Sequence, residues 1–116
     1  VIGLNELLSS VSTSDTDCFL AVLKQFGKQD GKFSFPMEGY SLALDFPANK
    51  KTLRLLEKLD NITLKYNGRF YLAKDSRISQ EHFLKSDIRA IDFAKYRNDN
   101  KNCLAFSSSQ SERLGL

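Results

Sequence analysis

The sequence predicts an α+β fold, a mostly antiparallel sheet covered by helices on one face. Three observations predict it. Two stretches, 18–26 and 39–46, carry the period-two side-chain pattern of strands. A later stretch repeats its apolar residues at helical spacing. Short polar breaks with Gly, Ser or Asn separate the segments.

Residues 1–11 place Leu4, Leu7, Leu8 and Val11 at helical spacing, and the small polar residues Ser12 to Thr16 end that helix. Cys18 to Phe26 reads as a strand. Leu20, Val22, Lys24 and Phe26 share one face, and Phe19, Ala21 and Leu23 the other. Gly27 to Phe35 is a polar, glycine-containing loop. Gly39 to Phe46 is a second strand with Tyr40, Leu42, Leu44 and Phe46 on one side and the smaller Ser41, Ala43 and Asp45 on the other. Pro47 ends it, because proline cannot donate to a ladder.

Asn49 is the expected N-cap of the next helix, with Leu55, Leu59, Ile62 and Tyr66 at i, i+4, i+7 and i+11. Ile62, Leu64 and Tyr66 also alternate ahead of Asn67-Gly68, which read locally is a hairpin with a type I′ turn. The longer helical stripe favours a helix stopped by Gly68 in the left-handed conformation, then a strand over 69–73. Ser79 caps a short helix with Phe83 and Leu84 inward; its capping-box partner is weak, since His82 stands where Glu would. A helix over 87–96 is expected to bury Ile88, Ile91 and Phe93 or Tyr96. Asn98 to Asn102 reads as a polar turn, and the tail from Cys103 has an apolar start (Leu104, Phe106) and a serine run. No repeat and no dividing linker is visible, so 1–116 is expected to be one domain.

Composition narrows the function classes. With 41% hydrophobic and 27% charged residues, the chain is neither disordered nor fibrous. No apolar run approaches the roughly 18 residues of a membrane span. Val1 to Val11 lacks the basic start of a secretion signal, and a first residue other than Met suggests a piece cut from something longer. The net charge is only +3 and signs alternate along the chain, so no nucleic-acid partner is expected. Cys18, Cys103 and the single His82 have no ligand spacing, so no metal site is expected, and the cysteines are read as free thiols in a reducing compartment. Asn61-Ile62-Thr63 matches a glycosylation sequon, read as chance without a secretion signal.

Three features sit awkwardly with a purely structural reading. Lys24 lies on a strand face with Leu20, Val22 and Phe26; it either snorkels from an edge or serves a site. The small face of strand 39–46 leaves room for a ligand or for a bulky neighbour. The run Tyr71-Leu72-Ala73-Lys74-Asp75-Ser76-Arg77 collects polar groups at a strand end, where sites are often placed. Tyr71 and Lys74 are three apart, so they share a pocket only if the chain leaves strand geometry near Ala73. No GxSxG, P-loop, Cys–His signature or dinucleotide glycine fingerprint occurs.

The segment Phe35-Pro36-Met37-Glu38-Gly39-Tyr40-Ser41-Leu42-Ala43-Leu44-Asp45-Phe46-Pro47, followed by Gly68-Arg69-Phe70-Tyr71-Leu72-Ala73-Lys74-Asp75-Ser76-Arg77, resembles the C-terminal region of the FAD-linked oxidases of the vanillyl-alcohol oxidase superfamily. The likeness is nearest to the decaprenylphosphoryl-ribose 2′-oxidase-like branch, with aldonolactone oxidase-like proteins more distant. Leu23-Lys24-Gln25-Phe26-Gly27 and the ending Phe106-x-Ser with Arg113-Leu114 are similar to the family's strand end and terminus. The likeness is strong over residues 18–80 and loose in the tail.

The resemblance implies that 1–116 is a ferredoxin-like substrate or cap domain of a two-domain parent whose N-terminal FAD-binding domain is absent here. It implies a parent that oxidises a CH–OH group of a sugar, polyol or aldonolactone by hydride transfer to FAD. Lys74 and Lys24 would be catalytic. Tyr71, Ala73 and Lys74 would meet the cofactor. Lys24, Phe26, Ser41, Ala43 and Tyr71 would line the substrate side. Where the nearest relatives carry Asn and Cys, this sequence has Ser41 and Ala43, so the particular substrate does not carry over. The expected partners are the parent's FAD-binding domain and its sugar substrate. The fragment is expected to be inactive alone and its bared apolar face to favour a homodimer. The parent is expected in the cytoplasm or peripherally at a membrane. The competing expectation is a stand-alone ferredoxin-like domain that binds a small ligand or a protein.

Overall fold

The computed structural model of the protein describes residues 1–31 and 33–116, and at positions 101 and 104 the backbone alone. Its elements in chain order are α1 (Ile2–Ser12), β1 (Leu20–Phe26), β2 (Gly39–Asp45), α2 (Lys50–Lys65), a 3-10 turn (Leu72–Lys74), α3 (Gln80–Ser86), α4 (Arg89–Asp99), α5 (Lys101–Leu104) and α6 (Ser109–Leu114). The α+β class is as expected. The chain forms two compact units, one of Val1–Asp30 with Pro36–Asn67, the other of Gly31–Phe35 with Gly68–Leu116. Each has its own apolar cluster.

In the first unit β1 and β2 pair antiparallel, from Leu20 opposite Asp45 to Phe26 opposite Gly39. Directly opposed residues share a face, so Leu44 and Lys24 project to opposite sides. Leu44 and Phe46 pack with Leu7 and Val11 of α1 and with the Leu55, Leu59 and Ile62 stripe of α2. Leu44 turns its sheet face toward α2, while Leu23 (53% exposed) and Tyr40 (48%) on that face stay exposed. Asn49 caps α2, its Oδ1 accepting from the N–H groups of Lys51 (3.0 Å) and Thr52 (2.9 Å). The left-handed residue at the far end is Asn67 (φ 54°), not the expected Gly68. Asparagine is one of the few non-glycine types that tolerates this region, so the stop comes one residue early. Tyr66 lies against Gly3, where a Cβ would come within 2.7 Å of the ring, and its hydroxyl donates to Glu6 at 2.6 Å.

In the second unit Ile78, Phe83, Ala90 and Leu114 form the core, with Phe33, Phe70, Leu72, Leu84 and Leu116 around it. Ser79 caps α3 as expected, accepting from the N–H of His82 at 3.1 Å. The strand expected over 69–73 does not form. No neighbouring strand pairs with it among the described residues, and the chain turns into a 3-10 helix at Leu72 instead. Helix α4 runs in a different phase from the one expected. Ala90 is fully buried and Phe93 stacks on Phe33 at 4.4 Å, while Ile88 (77% exposed), Ile91 (60%) and Tyr96 face outward. The methyl of Ala90 permits closer packing than isoleucine would, so hydrophobicity alone pointed to the wrong face.

The polar turn expected over 98–102 is instead the end of α4 and the start of α5. The apolar start expected at Leu104 lies outside the described side chains, and Phe106 is exposed. The serine run hides α6. Ser108 accepts from the N–H of Ser111 at 3.1 Å, Ser111 Oγ accepts from the N–H of Ser108 at 2.9 Å, and Gly115 (φ 71°) ends the helix. No helix among the described residues is long and apolar enough to cross a membrane.

Replacing Asn49 with Ala is expected to cost about 1 kcal/mol through loss of the cap. Replacing Ile78 with Ala is expected to cost about 3 kcal/mol through loss of contacts and the cavity left behind. Urea unfolding of the two variants checks both values.

Candidate functional site

The expected site residues fall into two groups, one in each unit. In the first unit the antiparallel register puts Lys24 opposite Ser41 and Val22 opposite Ala43. With Phe26 on the same side of β1, Lys24, Phe26, Ser41 and Ala43 share the sheet face turned away from Leu44 and its helices. Lys24 is exposed, while Phe26, Ser41 and Ala43 are half-buried. Both strands of a two-stranded sheet are edges. An exposed lysine on one of them is thus equally at home as an edge charge or as a group presented to a ligand.

The second group sits on the turn after Phe70. Lys74 N–H donates to Tyr71 O at 3.0 Å and closes the 3-10 turn. Tyr71 is the extended N-cap residue of that turn (φ -86°, ψ 97°) and Lys74 its last residue, so the chain leaves strand geometry between them. This is the departure from strand geometry that a shared role for the two residues requires. The Tyr71 ring is half exposed and meets Phe35 with 5.0 Å between centroids, tilted by 49°. Tyr71 and Ala73 line a hollow of about 140 Å³ together with Phe35, Phe70, Arg69 and Asp87, among others. Lys74 is exposed and is not part of that lining.

Two polar clusters, neither anticipated from sequence, support this turn and its surroundings. Gln110 of α6 donates its amide to Leu72 O (2.6 Å) and Asp75 O (3.1 Å), one at each end of the turn. Asp75 Oδ1 accepts from the N–H groups of Arg77 (3.1 Å) and Ile78 (3.0 Å), and its Oδ2 accepts from Arg113 (2.9 Å). Arg113 also donates to Ile78 O. In the second cluster Arg89 grips buried Asp87 through Nε (2.7 Å) and Nη2 (2.5 Å) and reaches the carbonyls of Gly31 (3.2 Å) and Ser34 (2.8 Å). It thereby holds the segment carrying Phe35 beside Tyr71. Arg69 lies 3.7 Å from the same carboxylate. The sequence offered Arg113 only as part of a family-like ending. Nothing in its pattern signalled a partner as distant as Asp75.

Burial acts to raise the Asp87 pKa, but hydrogen bonds and charge from Arg89, aided by Arg69, outweigh it and hold the carboxyl below its ordinary value. The same pairing raises Arg89 further.

A hollow of about 140 Å³ is well below the roughly 300–1,000 Å³ of a typical ligand pocket, and no glycine cradle for a pyrophosphate exists in the chain. An exposed aromatic ring and an ammonium on one turn do fit a single face or edge of a flavin ring held by other residues.

Over nearly its whole length the chain is similar to part of an oxidase. Along 111 residues, 95% of its length, it is 31% identical to decaprenylphosphoryl-beta-D-ribose oxidase of Mycolicibacterium smegmatis (strain ATCC 700084 / mc(2)155), of which it covers 24%. It is 36% identical over 97 residues to the uncharacterized protein in the mprA 5′ region of Streptomyces coelicolor, covering 82% of this chain and 26% of that protein. The chain spans about a quarter of the length of both relatives. No family model matches it. The resemblance read from the motifs is borne out by the first of these relatives.

Asp87 yields a pH prediction. Its folded pKa lies below the unfolded value of about 3.9. The stability it contributes is therefore complete above that value and lost as pH falls through the lower folded value. Asp87→Asn is expected to lower stability at pH 7 by about 2 kcal/mol, less than for a fully buried pair because Arg89 is partly exposed. The gap from the unmodified chain should narrow below about pH 4. Urea titrations at pH 7 and at low pH measure both limbs.

Proposed function

We propose that this chain is the C-terminal substrate, or cap, domain of an FAD-dependent oxidoreductase that oxidises a CH–OH group of a sugar, polyol or aldonolactone. The observation that carries this reading is the match to an oxidase along 95% of the chain, over residues that include the Tyr71–Lys74 turn. The parent's remaining chain would hold the FAD. Bound FAD supplies the hydride acceptor.

The residues of this chain would bind, orient and manage charge. The ammonium of Lys74 would stabilise negative charge at the ring edge, where a fixed cation costs no reorganisation. Tyr71 would stack on the ring or hydrogen-bond to ring or sugar, and Ala73 leaves room for close approach. Lys24 would take or relay the hydroxyl proton. Phe26, Ser41 and Ala43, on the same sheet face as Lys24, would line the substrate side. The exposed Ile88, at the N-cap of α4, and Ile91 in its first turn support a reading in which another polypeptide surface covers them, the parent's FAD-binding domain or a second copy. A cytoplasmic or peripherally membrane-bound parent accords with this proposal.

A second reading, a stand-alone small-ligand or protein-interaction domain, draws support from the hollow beside Tyr71, which the second unit builds from its own residues.

In the intact parent, Lys74→Ala is expected to abolish reduction of FAD by substrate while the fold, followed by circular dichroism, is kept. Unchanged stopped-flow bleaching of the flavin would remove Lys74 from the mechanism. The isolated chain mixed with FAD is expected to elute colourless from gel filtration. A yellow stoichiometric complex would instead favour the stand-alone reading.

A further inference from the structure

Gln110 occupies a position that the proposed chemistry leaves without a role. It lies on α6, and its carboxamide nitrogen spans the two ends of the turn that carries Ala73 and Lys74, donating to Leu72 O at 2.6 Å and Asp75 O at 3.1 Å. Both acceptors are main-chain carbonyls, so the contact holds backbone and depends little on the side chains around it. Within the turn Lys74 N–H donates to Tyr71 O at 3.0 Å and Asp75 N–H to Leu72 O at 3.3 Å. A three-residue 3-10 helix has poor hydrogen-bond geometry and does not persist by itself. A second tie runs in parallel, since Arg113, one helical turn beyond Gln110, pairs with the Asp75 side chain at 2.9 Å. Leu114 of the same helix is fully buried in the core with Ile78, so α6 is anchored before it reaches the turn.

We infer that Gln110 is a positioning residue. Its amide, carried on the core-anchored α6, fixes the backbone of the 72–75 turn and so the direction in which Lys74 is presented. This rests on the proposed role of Lys74 for its functional consequence, but not for the bracing itself. Gln110 touches neither substrate nor cofactor in this scheme. Chemistry distinguishes its variants. Gln110→Leu removes the donor at similar volume. Gln110→Glu turns a donor into an acceptor facing two carbonyl oxygens. Gln110→Lys keeps a donor of comparable reach.

Amide hydrogen exchange on this chain tests the bracing, with Phe83 and Ala90 as core controls. Gln110→Leu and Gln110→Glu are expected to speed exchange at Lys74 and Asp75 by about ten-fold, with the controls unchanged and Gln110→Lys close to the unmodified chain. Unchanged exchange at Lys74 and Asp75, or equal acceleration at the controls, overturns the inference. The consequence is read in the intact parent. Gln110→Leu should lower the rate constant of flavin reduction by about ten-fold with little change in KM, and Gln110→Lys should restore it. Faster exchange at Lys74 with an unaltered reduction rate upholds the brace and instead overturns the role proposed for Lys74.

Discussion

The carboxylate of Asp75 and the amide of Gln110 together determine the shape of the segment on which the candidate site depends. Asp75 folds the chain back on itself by accepting from the N–H groups of Arg77 and Ile78, and it takes a guanidinium from Arg113. Gln110 satisfies carbonyls on either side of Ala73 and Lys74. Backbone that leaves a regular ladder must find its partners elsewhere, and here two side chains of the last helix provide them. The stretch that would otherwise pair as a strand becomes a turn between Tyr71 and Lys74.

The same logic explains why the C-terminal helix matters more than its length suggests. Six residues cannot hold a helix by propensity. Ser108 and Ser111 satisfy its first amides, Gly115 releases its last turn, and Leu114 commits it to the core. Only with that anchor in place can Gln110 and Arg113 act on the turn. On the other side, Arg89 couples Asp87 to two carbonyls of the segment that carries Phe35, so the aromatic neighbour of Tyr71 is set by an ion pair rather than by packing alone.

The first unit shows a simpler division of labour. One sheet face is committed to Leu55, Leu59 and Ile62 through Leu44. The other combines the small Ser41 and Ala43 with Val22, Lys24 and Phe26. On that face Lys24 suits the role of an edge charge as well as the ligand contact proposed for it.

Period-two and helical spacing by themselves determined β1, β2, α1 and α2; β2, α1 and α2 each commit one face to an apolar cluster, and β1 pairs with β2 along its length. The caps at Asn49 and Ser79 were legible for a local reason, as they satisfy amides two or three residues away. The motif around Tyr71 and Lys74 was legible as a resemblance. Tertiary structure alone decided the rest. The phase of α4 turned on where a methyl group, that of Ala90, could be packed most closely. The strand expected over 69–73 became a turn because no strand lay beside it and Gln110, 38 residues from Leu72, supplied hydrogen bonds instead. The chain stopped α2 at Asn67 rather than Gly68, and it divided its apolar residues between two cores. Each of these outcomes depends on partners distant along the chain, and local periodicity carries no information about which distant group will arrive.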